Sequence, residues 1–346
     1  MPFNEVDGLI FAEMSYINFH LSISSTQLIK LKDLEIKDKK AFYTGSVDYR
    51  QNEQMINLMK ASIRYKDIKI GYCEHHLDHV DYQQFFAFTI MMPNHELYLS
   101  FRGTDTSLLG WREDFYIAYQ DIFPSQLMAL AYTNKILEKH PLPFYLGGHS
   151  KGGNLAIYSA LYMEEKYRPL LIKAISYDGP GFRQDVTALS SFKELHERFE
   201  KFITFNDVIG VVYNKIKETK IVYANGILLG GHDPYTWKVN NKGLFALSKD
   251  RSQLSKKNEE ALMNWLTQLS DKQKELAIKV LFDYLGDSKT IYDLLLNGAR
   301  IIANGKKQLK KYPKEEVDEA KDIFKQLGRF YMSAYSLRPK KKKVGN

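Results

Sequence analysis

A single cysteine, Cys73, stands among 346 residues. An internal disulfide is therefore excluded, and a reducing compartment fits, so a cytoplasmic protein is expected. No apolar run approaches the roughly 18 residues that a membrane-spanning helix requires. The opening stretch, MPFNEVDGLIFAEMSY, carries acidic groups where an export signal carries basic ones, so no leader is expected. Internal repeats and low-complexity segments are missing, apart from a run of lysines at the end. A surplus of one charge sign is missing too. The net charge is +8, but Arg338 and Lys340 to Lys343 supply five of those charges, which leaves about +3 for the rest. A nucleic-acid protein carries its basic charge on a folded face, so no such partner is expected. The tail reads as a solvated, disordered end, with weak contact to an anionic membrane as the alternative.

What is present is ordinary globular material, 44% hydrophobic and 26% charged. That is enough for one large core with or without an extension. Helical spacing is expected over 6–20, 25–32 and 53–64. Aromatic and β-branched runs at 67–73, 82–92 and 96–102, with a turn at Pro93-Asn94, predict an antiparallel meander. The pattern then alternates. A helix over 125–139 with Ser125 as N-cap, a strand at 144–147, a helix over 151–166, a strand at 171–177, a helix over 185–198 and a strand at 201–205 follow in turn. Such alternation implies parallel strands with crossover helices. Residues 227–247 read as loop and hairpin, and from about 255 the apolar spacing is helical. The expected organisation is a core over 1–250, a helical extension over 251–337 and a basic tail over 338–346.

The chemistry concentrates in FYLGGHSKGGNLA, residues 144–156. Gly148-His149-Ser150-Lys151-Gly152 is a G-x-S-x-G sequence between an apolar strand and a helix. A serine nucleophile on a sharp strand-to-helix turn needs small neighbours on both sides, and Gly148 and Gly152 supply them. The helix start also places backbone N–H groups beside the serine, where an oxyanion is stabilised. The bland alternative is a glycine-rich phosphate loop or a plain tight turn. A second oxyanion donor belongs on a loop after an earlier strand, and in LSFRGTD the Thr104 N–H has that place, with the Lys151 N–H as the first.

FRGTD followed by Gly110-Trp111 and Asp114, and then GHSKGGNLA, resembles the fungal-type (class three) lipases. LIFAEMSYINF and SYDGPGF resemble more closely a bacterial family of lipase-like proteins known as Mbeg-like. The lipase-type likeness covers about 80–235, and the closer one most of the chain. It implies an α/β-hydrolase fold, a mixed sheet flanked by helices, here with a C-terminal helical region, and a Ser–His–Asp site. It also implies a mobile flap over Thr106 to Phe115, with Leu108, Leu109 and Trp111 as its apolar face. Arg112 and Glu113 make that flap more charged than a lipid-seeking one. An ordinary surface helix anchored by its tryptophan is the alternative.

Two histidines follow the serine. His196 lies among charges in a helical pattern, and His232 lies in the glycine-rich GILLGGHDPYTW, so His232 is the expected base. Asp178 and Asp207 each stand just beyond a predicted strand. By resemblance, NDVIG holds the acid position, which makes Asp207 the expected acid and Asp178 the alternative. His149 is expected to pack, and a Ser150–Lys151 dyad is the lesser reading. Cys73, Glu74, His75, His76, Asp78 and His79 cluster, but their spacing fits no standard zinc pattern, so neither metal nor cofactor is expected. The resulting expectation is a serine hydrolase acting on a small-molecule or lipid carboxylic ester. A thioesterase or peptidase using the same site, and a silent hydrolase fold acting as a binding protein, are the alternatives.

Overall fold

The computed structural model describes residues 2–43, 49–78, 83–105, 108–226, 229–286 and 298–336. Among the described residues, nine strands stand in the sheet in the order in which the chain makes them. They are β1 (Leu28–Lys30), β2 (Lys69–Asp78), β3 (Gln83–Met91), β4 (Leu97–Phe101), β5 (Phe144–His149), β6 (Leu171–Tyr177), β7 (Phe199–Thr204), β8 (Thr219–Val222) and β9 (Leu247–Ser248). β1 to β4 pair antiparallel, β4 to β8 parallel, and β9 closes the far edge antiparallel.

The helices are α1 (Glu5–Met14), α2 (Lys39–Tyr43), α3 (Tyr49–Ala61), α4 (Leu108–Tyr116), α5 (Pro124–Lys139), α6 (Lys151–Tyr162), α7 (Ser190–Leu195) and α8 (Leu229–His232). The C-terminal set is α9 (Gln253–Gln268), α10 (Asp271–Leu285), α11 (Gly298–Leu309) and α12 (Lys314–Ser336). A parallel run that always steps the same way, with right-handed crossovers, puts its crossover helices on one face. α5, α6 and α7 share that face with Leu97, Leu99, Phe101, Phe144 and Leu146. The period of two sends Tyr98, Tyr145, Ile175 and Tyr177 to the other face, where α1 covers them with Leu9, Phe11, Ala12 and Met14. This is the α/β-hydrolase type of arrangement, a mixed sheet between two helical layers.

Several local expectations change. Residues 25–32 form β1 and a short 3₁₀ turn instead of a helix, because Leu28 to Lys30 pair with Gly71 to Lys69. β8 and β9 go unsignalled in the sequence, being short and only partly buried. Phe123, not Ser125, caps α5, and Ser125 is fully buried instead. The C-terminal helices pack across residue 250. Trp265, Phe282 and Ile323 form a third cluster with Trp111, Phe115 and Val212. Among the described residues no helix is long and apolar enough to cross a membrane.

Candidate active site

Ser150 links β5 to α6 with φ 56° and ψ −129°. For a residue with a Cβ this is a strained conformation, of the order of 1–3 kcal/mol, tolerated only where the surroundings enforce it. The enforcement is close packing. A Cβ on Gly152 would lie 2.1 Å from the Phe101 carbonyl oxygen, and one on Gly148 would lie 2.4 Å from the Gly152 carbonyl carbon. The turn is therefore pressed between β4 and its own helix, and the Ser150 N–H donates to the Tyr177 carbonyl at 2.9 Å.

Gly103 brings the loop after β4 against this turn. A Cβ there would meet Tyr16 Oη at 2.2 Å, the His149 carbonyl at 2.5 Å and Ser150 Cβ at 3.2 Å. The preceding Arg102 is buried, lies 4.2 Å from the Phe86 ring centroid and donates to the Ser15 and Ile17 carbonyls, which ties the strand end to the N-terminal segment. Thr104 follows, and its hydroxyl donates to Asp114 in α4. Burial pushes the Asp114 carboxyl up to about 6, against the opposing charge of Lys151 and the Thr104 bond.

His232 ends α8 and points Nδ1 at Asp178 Oδ2, 2.7 Å away. A carboxylate only accepts, so Nδ1 carries the proton and Nε2 keeps its lone pair. Burial lowers the proton affinity of His232, and the charges of Asp207, Asp114 and Asp233 oppose that. The His232 carbonyl accepts from His149 Nε2 at 2.9 Å. His149 must then present its bare Nδ1 to the Tyr16 hydroxyl, 3.1 Å away. Burial keeps His149 neutral. His149 therefore packs, as expected, and it also joins the loop of His232 to the turn of Ser150. The two imidazole centroids lie 4.5 Å apart.

The acid expected to face His232 is displaced. Asp178, at the end of β6 with φ 53°, holds the hydrogen bond, whereas Asp207 lies one step behind. Asp207 Oδ1 accepts the N–H groups of Ile209 at 2.8 Å and Gly210 at 3.0 Å, and its Oδ2 is buried with no donor. The physical reason is the strand order. β6 adjoins β5, so its end lies one strand nearer Ser150 than the end of β7 does.

Lys151 is not solvent-facing. Its Nζ donates to Glu113 Oε2 at 2.6 Å and to the Gln84 carbonyl at 2.9 Å, with 1% and 0% of the two side chains exposed. Glu113 also accepts from the Ser125 hydroxyl and the Gln84 N–H. The expected flap is thus α4, held from below by this pair. From above, Phe115 meets Phe282 at 5.6 Å and Arg112 reaches Asp283 at 3.6 Å. Trp111 is half-buried against the C-terminal helices. Thr106 lies outside the described residues, as do the side chains of Leu108 and Leu109.

His196 is exposed, with its Nδ1 donating to the Lys193 carbonyl. Along β2, Cys73 is buried while His75 and His76 are exposed, and His75 stacks on His20 at 4.2 Å. His79 lies outside the described residues. Among the described residues no three His, Cys, Asp or Glu side chains converge as a metal site. The sequence reading missed Glu13. It is buried 3.8 Å from His149 Nδ1, and burial, helped by the Asp233 charge, pushes it up to about 8. A charged residue on the buried face of a capped helix was the available signal.

A strained serine thus links β5 to α6 on an α/β-hydrolase-type fold, and a histidine–carboxylate pair is tied to that turn through His149. The sequence profile of the Mbeg1-like family matches residues 59–283, well over half of the chain, and the chain belongs to that family. The crystal structure of M37 lipase superposes over 62% of this chain and 71% of its own, at 16% identity and a TM-score of 0.41, a likeness too slight to speak for chemistry. No curated protein matches the chain.

Proposed function

We propose that the protein is a serine hydrolase that cleaves a carboxylic ester, with Ser150 as nucleophile, His232 as base and Asp178 as the acid that orients it. The observation that carries this reading is the His232 Nδ1 to Asp178 Oδ2 bond of 2.7 Å on a loop joined, through His149, to the strained turn of Ser150. Nε2 of His232 takes the Ser150 hydroxyl proton as Oγ adds to the acyl carbon. The backbone N–H groups of Thr104 and Lys151 stabilise the oxyanion, and each such donor typically contributes about 2.7–4 kcal/mol to the barrier. His232 then returns the proton to the departing alkoxide, and water, activated in the same way, releases the acid. No cofactor enters this sequence.

Ser150→Ala is expected to abolish labelling by a fluorophosphonate and turnover of p-nitrophenyl esters of graded chain length. Equal labelling of wild type and variant would sink the assignment. The same panel, extended to thioesters and peptides, separates an esterase from its two relatives in mechanism.

A further inference from the structure

We infer that the acid behind His232 is a pair: Asp178 and Asp207 share one proton, and Asp207 is a positioning residue that donates it. This rests on the proposed role of His232 as the base. Asp178 Oδ2 is occupied by the His232 N–H. Asp178 Oδ1 and Asp207 Oδ2 are both shut off from solvent, and no donor reaches either. They crowd the same point, since a Cβ on Gly210 would lie 2.7 Å from the first and 3.0 Å from the second. Two carboxylate oxygens buried together in this way are both acceptors, so a proton held between them relieves their repulsion and gives each a partner.

The position of the proton follows from the remaining contacts. Asp207 Oδ1 takes two backbone N–H groups, so Oδ2 is the oxygen left to carry the proton. Burial pushes Asp207 well up, and the charge and hydrogen bond of Asp178 add to that. Burial also pushes Asp178 up, to about 7, but the bond from Asp207 and the charge of Lys201 work against it. Asp207 therefore holds its proton where Asp178 gives its own up. The charged groups facing the pair are His232 from α8 and Lys201 from β7. Beyond them, Asp114 and Asp233 face His232, and Glu259 faces Lys201. Lys201 is itself buried, and burial brings it down to about 8 against the three carboxylates.

The chain of donors then runs in one direction. Asp207 O–H donates to Asp178, and Asp178 accepts from His232 Nδ1, which leaves Nε2 free for the serine proton. One negative charge, spread over two residues, stabilises the imidazolium that forms. A doubly ionised pair would repel itself and hold His232 protonated before the reaction.

The test compares replacements that keep or delete the donor. Asp207→Ala is expected to lower kcat/KM by about 30-fold or more, because Asp178 loses its fixed rotamer. Asp207→Asn is expected to restore most of it, since the amide NH2 donates to Asp178 while its oxygen keeps the Ile209 and Gly210 bonds. Asp178→Ala, which strips His232 of its partner, is expected to lose at least about 1000-fold. Asp207→Asn as damaging as Asp207→Ala, or more damaging than Asp178→Ala, would overturn the pair. Infrared spectroscopy at pH 8 reads the proton without substrate. The spectrum of wild type minus Asp207→Asn is expected to contain a protonated-carboxyl band, to which Glu13 contributes nothing because it is common to both. Absence of that band overturns the inference. A band in protein that turns over no ester leaves the pair standing and removes the hydrolase reading.

Discussion

Glu113→Gln tests the buried pair that holds α4 to α6, the helix that follows Ser150. In the folded protein Lys151 Nζ has two acceptors, Glu113 at 2.6 Å and the Gln84 carbonyl at 2.9 Å, and almost no solvent. The amide keeps the shape of Glu113 and removes its charge, so an ammonium is left buried without a counter-ion. Breaking a buried pair in this way costs about 3–5 kcal/mol. Against a stability of about 5–15 kcal/mol, that is from about a fifth to the whole of it. Urea unfolding followed by tryptophan fluorescence measures it. Glu113→Leu with Lys151→Met together is expected to be more stable than either single variant, because no charge remains to be buried. A Glu113→Gln protein within 1 kcal/mol of wild type at pH 7 would refute the reasoning.

Gly103→Ala forces a methyl group to within 2.2 Å of Tyr16 Oη and 2.5 Å of the His149 carbonyl. The loop must shift from Ser150, and a misplacement near 1 Å typically costs about 100-fold in rate. An unchanged rate of fluorophosphonate labelling would contradict the packing argument. Glu13 gives a pH dependence with a definite sign. Its carboxyl is raised from 4.5 to about 8 in the folded chain, so folding retains a proton that the unfolded chain releases. The stability it contributes is complete below pH 4.5 and lost as pH rises through 8, in total a few kcal/mol on an order-of-magnitude basis. Glu13→Gln is expected to gain on wild type steadily between those pH values in denaturant titrations. A difference that stays flat with pH would count against it.

The parts of this chain that follow a local rule are legible in its sequence. G-x-S-x-G between an apolar run and a helix led directly to Ser150, because the steric demand of that turn is met by adjacent residues. His232 was singled out by its place in a late glycine-rich segment, and it pairs with Asp178. The choice between Asp178 and Asp207 was not local. Both end a strand, and only the neighbour relation of β5 and β6 decides which one faces the histidine. Resemblance pointed to Asp207, which lies behind Asp178 with its Oδ1 on the Ile209 and Gly210 N–H groups. Arg112 and Glu113 misled in a different way. In sequence two charges read as a wet surface, yet Glu113 is buried with Lys151, 38 positions away, and Arg112 turns to Asp283. Charge in a sequence does not reveal its partner.

The strand order also explains why the N-terminal segment belongs to the site. Since the crossover helices α5, α6 and α7 fall on one face, the other would leave Tyr98, Tyr145 and Tyr177 in water. α1 covers that face, and its cover is polar as well as apolar. Tyr98 Oη donates to the Gly8 carbonyl, Ser100 Oγ to the Phe11 carbonyl and Tyr177 Oη to the Glu5 carbonyl. These bonds fix α1 along β4 to β6, and the chain leaving it places Tyr16 under His149 and the Ser15 carbonyl against Arg102. Both contacts lie within two residues of Gly103 or Ser150. The register of α1 on the sheet therefore sets the height of the Gly103 loop and of His149 beside Ser150. A helix that first fills a bare face thus becomes the floor on which His149, and through it His232, is held.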